Sequence, residues 1–291
     1  MNSHAIVWLV LTVLTCISLT TGIAAQTLDG SPYIPGKDAN IDLYFGSWLD
    51  SEPYITHGTL IERDILTQGD PLNPPAKGAV LSYVNRFTHA TLETGTHTEP
   101  VTLEGEQEIL YILSGDGKMK SRGESQDLYS GICVLVPADC EFSLDNTGSE
   151  PLTMYLISEP IPDGFRPNKN ILVRDENTLP ITSTNVHWIH IEKSFFKTKD
   201  GLGTLENVIT IQFDPWTIGH PHSHNPGVEE AWTQVTGESI AFMGKQIRKQ
   251  PVGTGYMIPP DGKTPHSNIN TTDMPVKMFY FARYRDHEVR K

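Results

Sequence analysis

Gly219-His-Pro-His-Ser-His-Asn-Pro-Gly-Val-Glu-Glu-Ala-Trp-Thr-Gln-Val-Thr-Gly237 is followed about thirty residues later by His266, in a Pro-rich turn. Side chains at i and i+2 of an extended strand point to one face, so His222 and His224 can offer two imidazoles to one cation. His220 and His222 form a second i, i+2 pair, with a longer loop before the glutamates, and His222 belongs to both. Pro221 and Pro226 stiffen the segment in either register. Glu230 on the next strand and His266 from further along complete a nitrogen and oxygen set suited to a first-row divalent metal.

Working outward, the segment has a partner earlier in the chain. Gly105-Glu-Gln-Glu108-Ile-Leu-Tyr-Ile-Leu-Ser-Gly115 matches Gly227 to Gly237 in its glycines and in Glu108 against Glu230. The match continues from Gly131–Pro137 to Gly253–Pro259, then to Asn146 and Asn270, and ends in apolar strands at 152–157 and 276–281. Two copies of one β-rich unit follow. Short apolar or alternating runs divided by Gly, Pro, Asn and Asp predict an antiparallel sandwich or barrel in each, and no amphipathic helix stands out.

The chain has 291 residues, 38% hydrophobic and 20% charged, with 24 Gly and 21 Pro, a globular and turn-rich composition. A net charge of −13 without a basic patch argues against a nucleic-acid partner. Residues 1–25 contain no Asp, Glu, Lys or Arg and end in small residues before Gln26, which reads as a secretory signal peptide cleaved near Ala25. The mature protein is then expected to be secreted or periplasmic, with no membrane segment. Cys133 and Cys140 remain, either as a disulfide or, as we favour, as a buried strand residue and a turn residue.

The two copies resemble the two conserved motifs of the cupin superfamily, and the whole mature chain resembles a bicupin. The first motif has His-x-His, a short gap, Glu, and Gly; the second has Gly, Pro-x-Gly, His and Asn. In the C-terminal copy these fall on His222, His224, Glu230, Gly237, Gly253, Pro259, Gly262, His266 and Asn270. The gaps from His224 to Glu230 and from Gly262 to His266 are slightly longer than the family's, and the His222/His224 pair lies closer to its spacing than His220/His222. The resemblance implies an all-β protein of two tandem cupin barrels (double-stranded β-helix, jelly-roll). Expected boundaries are a signal peptide 1–25, an N-terminal extension 26–75 packed on the first barrel, barrel one at 76–160, a connector 161–184 and barrel two at 185–291. The N-terminal copy keeps His97 and Glu108 but has Thr98 or Glu99 for the second histidine and Phe142 near the last, so it is expected to be a structural barrel with a degraded metal site.

This ligand set predicts one divalent transition metal (Mn, Fe, Ni, Cu, Co or Zn), with positions left for water or substrate. Strand alternation from Glu230 places Trp232 and Gln234 as substrate-binding candidates; Gln212, Trp216 and Arg283 are others, and Glu229, on the opposite strand face, is a weak catalytic candidate. Two function classes stand. One is a metal-dependent enzyme, of dioxygenase or decarboxylase type, acting on a small oxygen-rich molecule. The other is a non-catalytic metal- or sugar-binding module, with sugar isomerase or lyase chemistry as a further variant. A monomer or a homo-oligomer fits either class.

Overall fold

The computed structural model describes residues 30–182 and 191–284, so the expected signal segment lies outside the described residues. The chain is nearly all β, and the longest helix among the described residues is the four-residue turn Ile41–Tyr44. The first large sheet runs, in spatial order, Leu172–Asp175, Ile132–Val136, Glu106–Ser114, Leu152–Pro160, Arg86–Leu92, Leu60–Gln68 and Tyr54–Thr56. A smaller sheet of Val101–Thr102, Glu141–Asn146, Gly117–Ser121 and Glu124–Leu128 closes the first barrel. The second large sheet runs Phe45–Ser47, Thr254–Met257, Glu229–Thr236, Val276–Arg283, Asn207–Phe213 and Ile191–Lys197, closed by Gln246–Gln250, Ser239–Met243 and His266–Ile269.

The repeat extends beyond the sequence match. Glu62 pairs with Ala90 on one side of a bulge after Asp64, and Thr67 with Arg86 on the other. Glu192 likewise pairs with Ile211, a bulge follows Ser194, and Lys197 pairs with Asn207. Glu62 therefore corresponds to Glu192, and Arg86 to Asn207. Asn146 and Asn270 do the same work in each copy: Asn146 Nδ2 donates to Leu92 O and Glu150 O, and Asn270 Nδ2 donates to Phe213 O and Met274 O. Each Oδ1 then accepts a backbone N–H two residues on, from Gly148 and from Thr272. One amide thus pins both ends of a loop in each copy, because it is donor and acceptor at once.

Each barrel lends a strand to the other. Phe45–Ser47, within the N-terminal extension, pairs with Thr254–Met257 of the second barrel, while Leu172–Asp175, within the connector, pairs with Ile132–Val136 of the first. The extension also supplies Tyr54–Thr56 and Leu60–Gln68 to the first barrel, so it is shared rather than packed on the first barrel alone. Gly46 makes the crossing possible: a Cβ there would lie 1.7 Å from Ile65 O. Between the barrels the two large sheets pack face to face through Phe87, Tyr111 and Tyr155 on one side and Phe279 and Phe281 on the other; Tyr111 stacks on Phe279 with centroids 5.0 Å apart. Cys133 and Cys140 are both buried and are not bonded to each other.

Candidate metal centre

His222, His224 and His266 meet inside the second barrel, with one ring nitrogen from each within 4.8 Å of the others. Among the described residues this is the one cluster of three or more metal-ligating side chains. Local structure explains the convergence. His222 and His266 are bridged through their backbones, N–H to O at 3.3 and 2.9 Å, which fixes the two segments side by side. Gly227 N–H donates to Pro260 O, and Gly262 lies so close to Pro226 that a Cβ would approach its ring at 2.5 Å. Two Pro- and Gly-rich loops are thereby locked together behind the histidines. His220 is exposed, and its carbonyl lies 2.7 Å from His222 Nδ1, the contact of a donated N–H, which leaves His222 Nε2 to face the cluster.

Glu230 closes the group from the sheet wall. Its Oε1 is 3.1 Å from His224 Nε2 and its Oε2 3.4 Å from His266 Nε2. Tyr280 Oη donates to Oε1 at 2.7 Å and Trp232 Nε1 to Oε2 at 3.3 Å, so the carboxylate is held from behind by two ring donors. Burial alone would raise the Glu230 carboxyl, but His224 and His266 outweigh it and hold it well below the usual range. His266 is pushed down to about 4, chiefly by burial, and His222 is lowered for the same first reason. His224 is raised, because Glu230 overcomes the burial that works against its charge. His266 is buried, its Nδ1 has no hydrogen-bond partner and its Nε2 faces only the Glu230 carboxylate, at 3.4 Å. Buried ring nitrogens of this kind are rarely left without a role, and three imidazoles set beside a carboxylate fit a divalent cation of the nitrogen- and oxygen-binding class.

The other sequence candidates divide by strand face. Trp232 is on the histidine side, 6.5 Å ring to ring from His266. Gln234, on the same face, is taken up by Ser239 Oγ–H and the Thr236 carbonyl. Glu229 and Arg283 pair across the strands on the opposite face, toward the first barrel, where Arg283 lies 3.6 Å over the Tyr83 ring and donates to Thr204 O. Alternation that turns Glu230 inward must turn Glu229 outward, so neither Glu229 nor Arg283 joins the histidines. Gln212 also faces away, in a surface cleft with Glu176, Lys193 and Lys277. Trp216 is 72% exposed on the loop before the histidines.

Register in the first barrel differs from the sequence expectation. Val101 pairs with Phe142 as His222 pairs with His266, and His97 pairs with Asp145 as Ile218 pairs with Ile269. The ligand positions there are thus Val101, Leu103 two residues on, Glu108 and Phe142. His97 and Glu99 are exposed and do not approach the buried Glu108. Instead, Arg86 donates to Glu108 Oε1 at 2.9 Å, and His57 Nε2, from the N-terminal extension, lies 3.2 Å from Oε2. Leu110, Val134, Leu144 and Leu156 fill the surrounding interior.

A carboxyl that sequence reading missed sits in the second barrel. Glu192 shares a strand face with Ile211, Met278 and Gln234 through successive pairings, and hence with Trp232 and Glu230. It is buried, and burial pushes its carboxyl up to about 7. A lone Glu on a strand carries no spacing signal by which it could have been found.

A family model described as a cupin domain matches residues 88–158. No curated protein sequence matches the chain. Among solved structures, AerE of Microcystis aeruginosa is 12% identical, with 83% of this chain and 99% of that one covered and a TM-score of 0.62. The oxalate decarboxylase of Lactobacillus farciminis, solved with formate, is 14% identical, covering 85% and 88%, with a TM-score of 0.63. Vicilin from hazelnut, Corylus avellana, is 12% identical, covering 84% and 86%, with a TM-score of 0.62.

Proposed function

We infer, for a chain that belongs to the cupin superfamily and has the bicupin fold, a metal-dependent enzyme with one mononuclear centre in the second barrel, acting on a small oxygen-rich molecule. The observation that carries this reading is the convergence of His222, His224, His266 and Glu230 in the second barrel, while in the first the positions matching the three histidines are Val101, Leu103 and Phe142 and the matching Glu108 is held by Arg86. Those four side chains would hold the ion. When bound, a divalent metal supplies Lewis acidity toward a carboxylate, enediol or carbonyl oxygen, and reactivity with dioxygen if it is redox-active.

The chain's own residues would do the rest. Tyr280 and Trp232 orient Glu230, and the His220 carbonyl sets the His222 tautomer. Trp232 gives an apolar wall beside the cluster. Decarboxylation of a small acid or oxidation by dioxygen ranks first, and the oxalate decarboxylase among the structural neighbours supports the small-acid side of that pair. Export belongs to the same proposal, on the uncharged apolar residues 1–25. The seed-protein neighbour favours a second reading, a non-catalytic module. Metal analysis of the purified protein, followed by carbon dioxide release from oxalate and dioxygen uptake with phenolics, separates the two. The enzyme reading expects stoichiometric metal and turnover in one assay; a metal-free wild type contradicts it.

A further inference from the structure

The small sheet that closes each barrel has an inner and an outer face. In the second barrel Ala241, Met243, His266 and Asn268 are buried inside, so strand alternation puts Ile240, Phe242 and Ile269 outside. Ile247 pairs with Phe242 on one side of them and Ile218 is bridged to Ile269 on the other, which makes an apolar face four strands wide. The first barrel repeats these pairings: Lys118 with Asp145, Lys120 with Ser125, and His97 bridged to Asp145. Position by position, Lys118, Lys120, Asp145, Ser125 and His97 stand where the second barrel has Ile240, Phe242, Ile269, Ile247 and Ile218. Ion pairs cover the first face, Lys118 with Asp127 and Lys120 with Asp145, as suits a sheet against water. The second keeps one, Lys249 with Glu238, at its corner. Ile247 is 57% and Ile218 44% exposed, and among the described residues none of the five apolar side chains belongs to either core or packs against it. Two residues before Ile218, Trp216 is 72% exposed and holds φ +58°, a backbone conformation that bulky residues rarely take.

We propose that this face is the contact surface of a homodimer, packed sheet to sheet against the same face of a second copy of the chain. At about 200 Å² for a large side chain, Trp216, Ile218 and Ile247 alone leave on the order of 300 Å² exposed, a patch of the size that marks association sites. A standard interface covers about 800 Å² on each partner, apolar at its centre and polar at its rim. The adjoining apolar side chains supply such a centre, and the strand ends with Lys249 and Glu238 supply a rim. Sheet-to-sheet packing already joins the two barrels within the chain, where Tyr111 stacks on Phe279. Charge then selects the partner. The chain carries a net charge of −13 and none of the five apolar positions is charged, so two like-charged copies can close on each other here. The matching face of the first barrel is kept out of such a contact by its ions, which burial would penalise.

Sedimentation velocity of the purified protein tests this. Wild type at about 100 µM sediments as a dimer and dissociates on dilution, by mass action. Added NaCl leaves the dimer intact, because no ion pair carries it. Ile247→Glu and Ile218→Glu, made singly, each put a charge into the contact and weaken the dimer Kd by about 100-fold, while circular dichroism and thermal transition stay those of a folded chain. Leu49→Glu, at an apolar residue 65% exposed elsewhere on the surface, leaves the dimer unchanged. A wild type that stays monomeric at that concentration, whatever else it binds, overturns the assignment. So does a dimer that survives both Ile247→Glu and Ile218→Glu, or one that Leu49→Glu dissociates to the same extent.

Discussion

Tyr280 shows at the scale of one residue how the site is supported. Its hydroxyl donates to Glu230 Oε1, the oxygen that also faces His224, and outer partners of this kind set ligand orientation. Tyr280→Phe should weaken metal affinity by about 10–100-fold without changing the fold, measured by competition with a chelator. Arg86 plays the opposite part, as a resident cation between Glu62 and Glu108. Arg86→Met removes the cation the two buried carboxylates share, leaving Glu108 with His57 and Glu62 with the Thr56 and Thr88 hydroxyls, and should cost about 3–5 kcal/mol in urea denaturation. Glu192 gives a pH signature. Its folded carboxyl is raised from 4.5 to about 7, so between those values the folded chain binds more protons than the unfolded one, and this group's contribution to the stability of the metal-free protein falls as pH rises through that window. Glu192→Gln should flatten that decline, seen as a Tm that rises at pH 8 relative to wild type.

At the scale of elements, the exchanged strands tie the barrels into one body. Phe45 stacks on Tyr256 with centroids 5.1 Å apart and interplanar angle 9°, anchoring the crossing strand in the second barrel. Phe45→Ala should cost about 3–5 kcal/mol and lower a single thermal transition, read by circular dichroism. The same scale explains what the sequence made legible. The His-x-His spacing and Glu230 could be read because ligands must recur at i, i+2 and at a fixed offset. The first barrel could not be read so well: Val101 and Leu103, at the positions matching His222 and His224, are ordinary apolar residues, and His97, four positions early, looked like the matching histidine. Register alone, through Phe142 against Val101, corrects it. Glu192 and its correspondence to Glu62 were invisible for a related reason, since their equivalence lies in matched bulges and not in a matched sequence motif.

For the whole molecule, one continuous core runs between the two large sheets, and interiors of opposite character flank it. The first barrel is packed with Leu110, Val134, Leu144 and Leu156, while the second places Trp232, Tyr256, Asn268 and Tyr280 at the matching positions, all buried. Aliphatic packing stabilises, whereas buried polar groups cost free energy unless they are hydrogen-bonded, and the side chains of Asn268 and Tyr256 are not. On the function proposed above, the molecule divides labour, with one barrel as support and one as site. The most direct measurement of that division is metal content per chain in the wild type, His266→Ala and Glu108→Gln. One ion in the wild type and in Glu108→Gln, with none in His266→Ala, is the predicted result; two ions in the wild type, none at all, or retention in His266→Ala would contradict it.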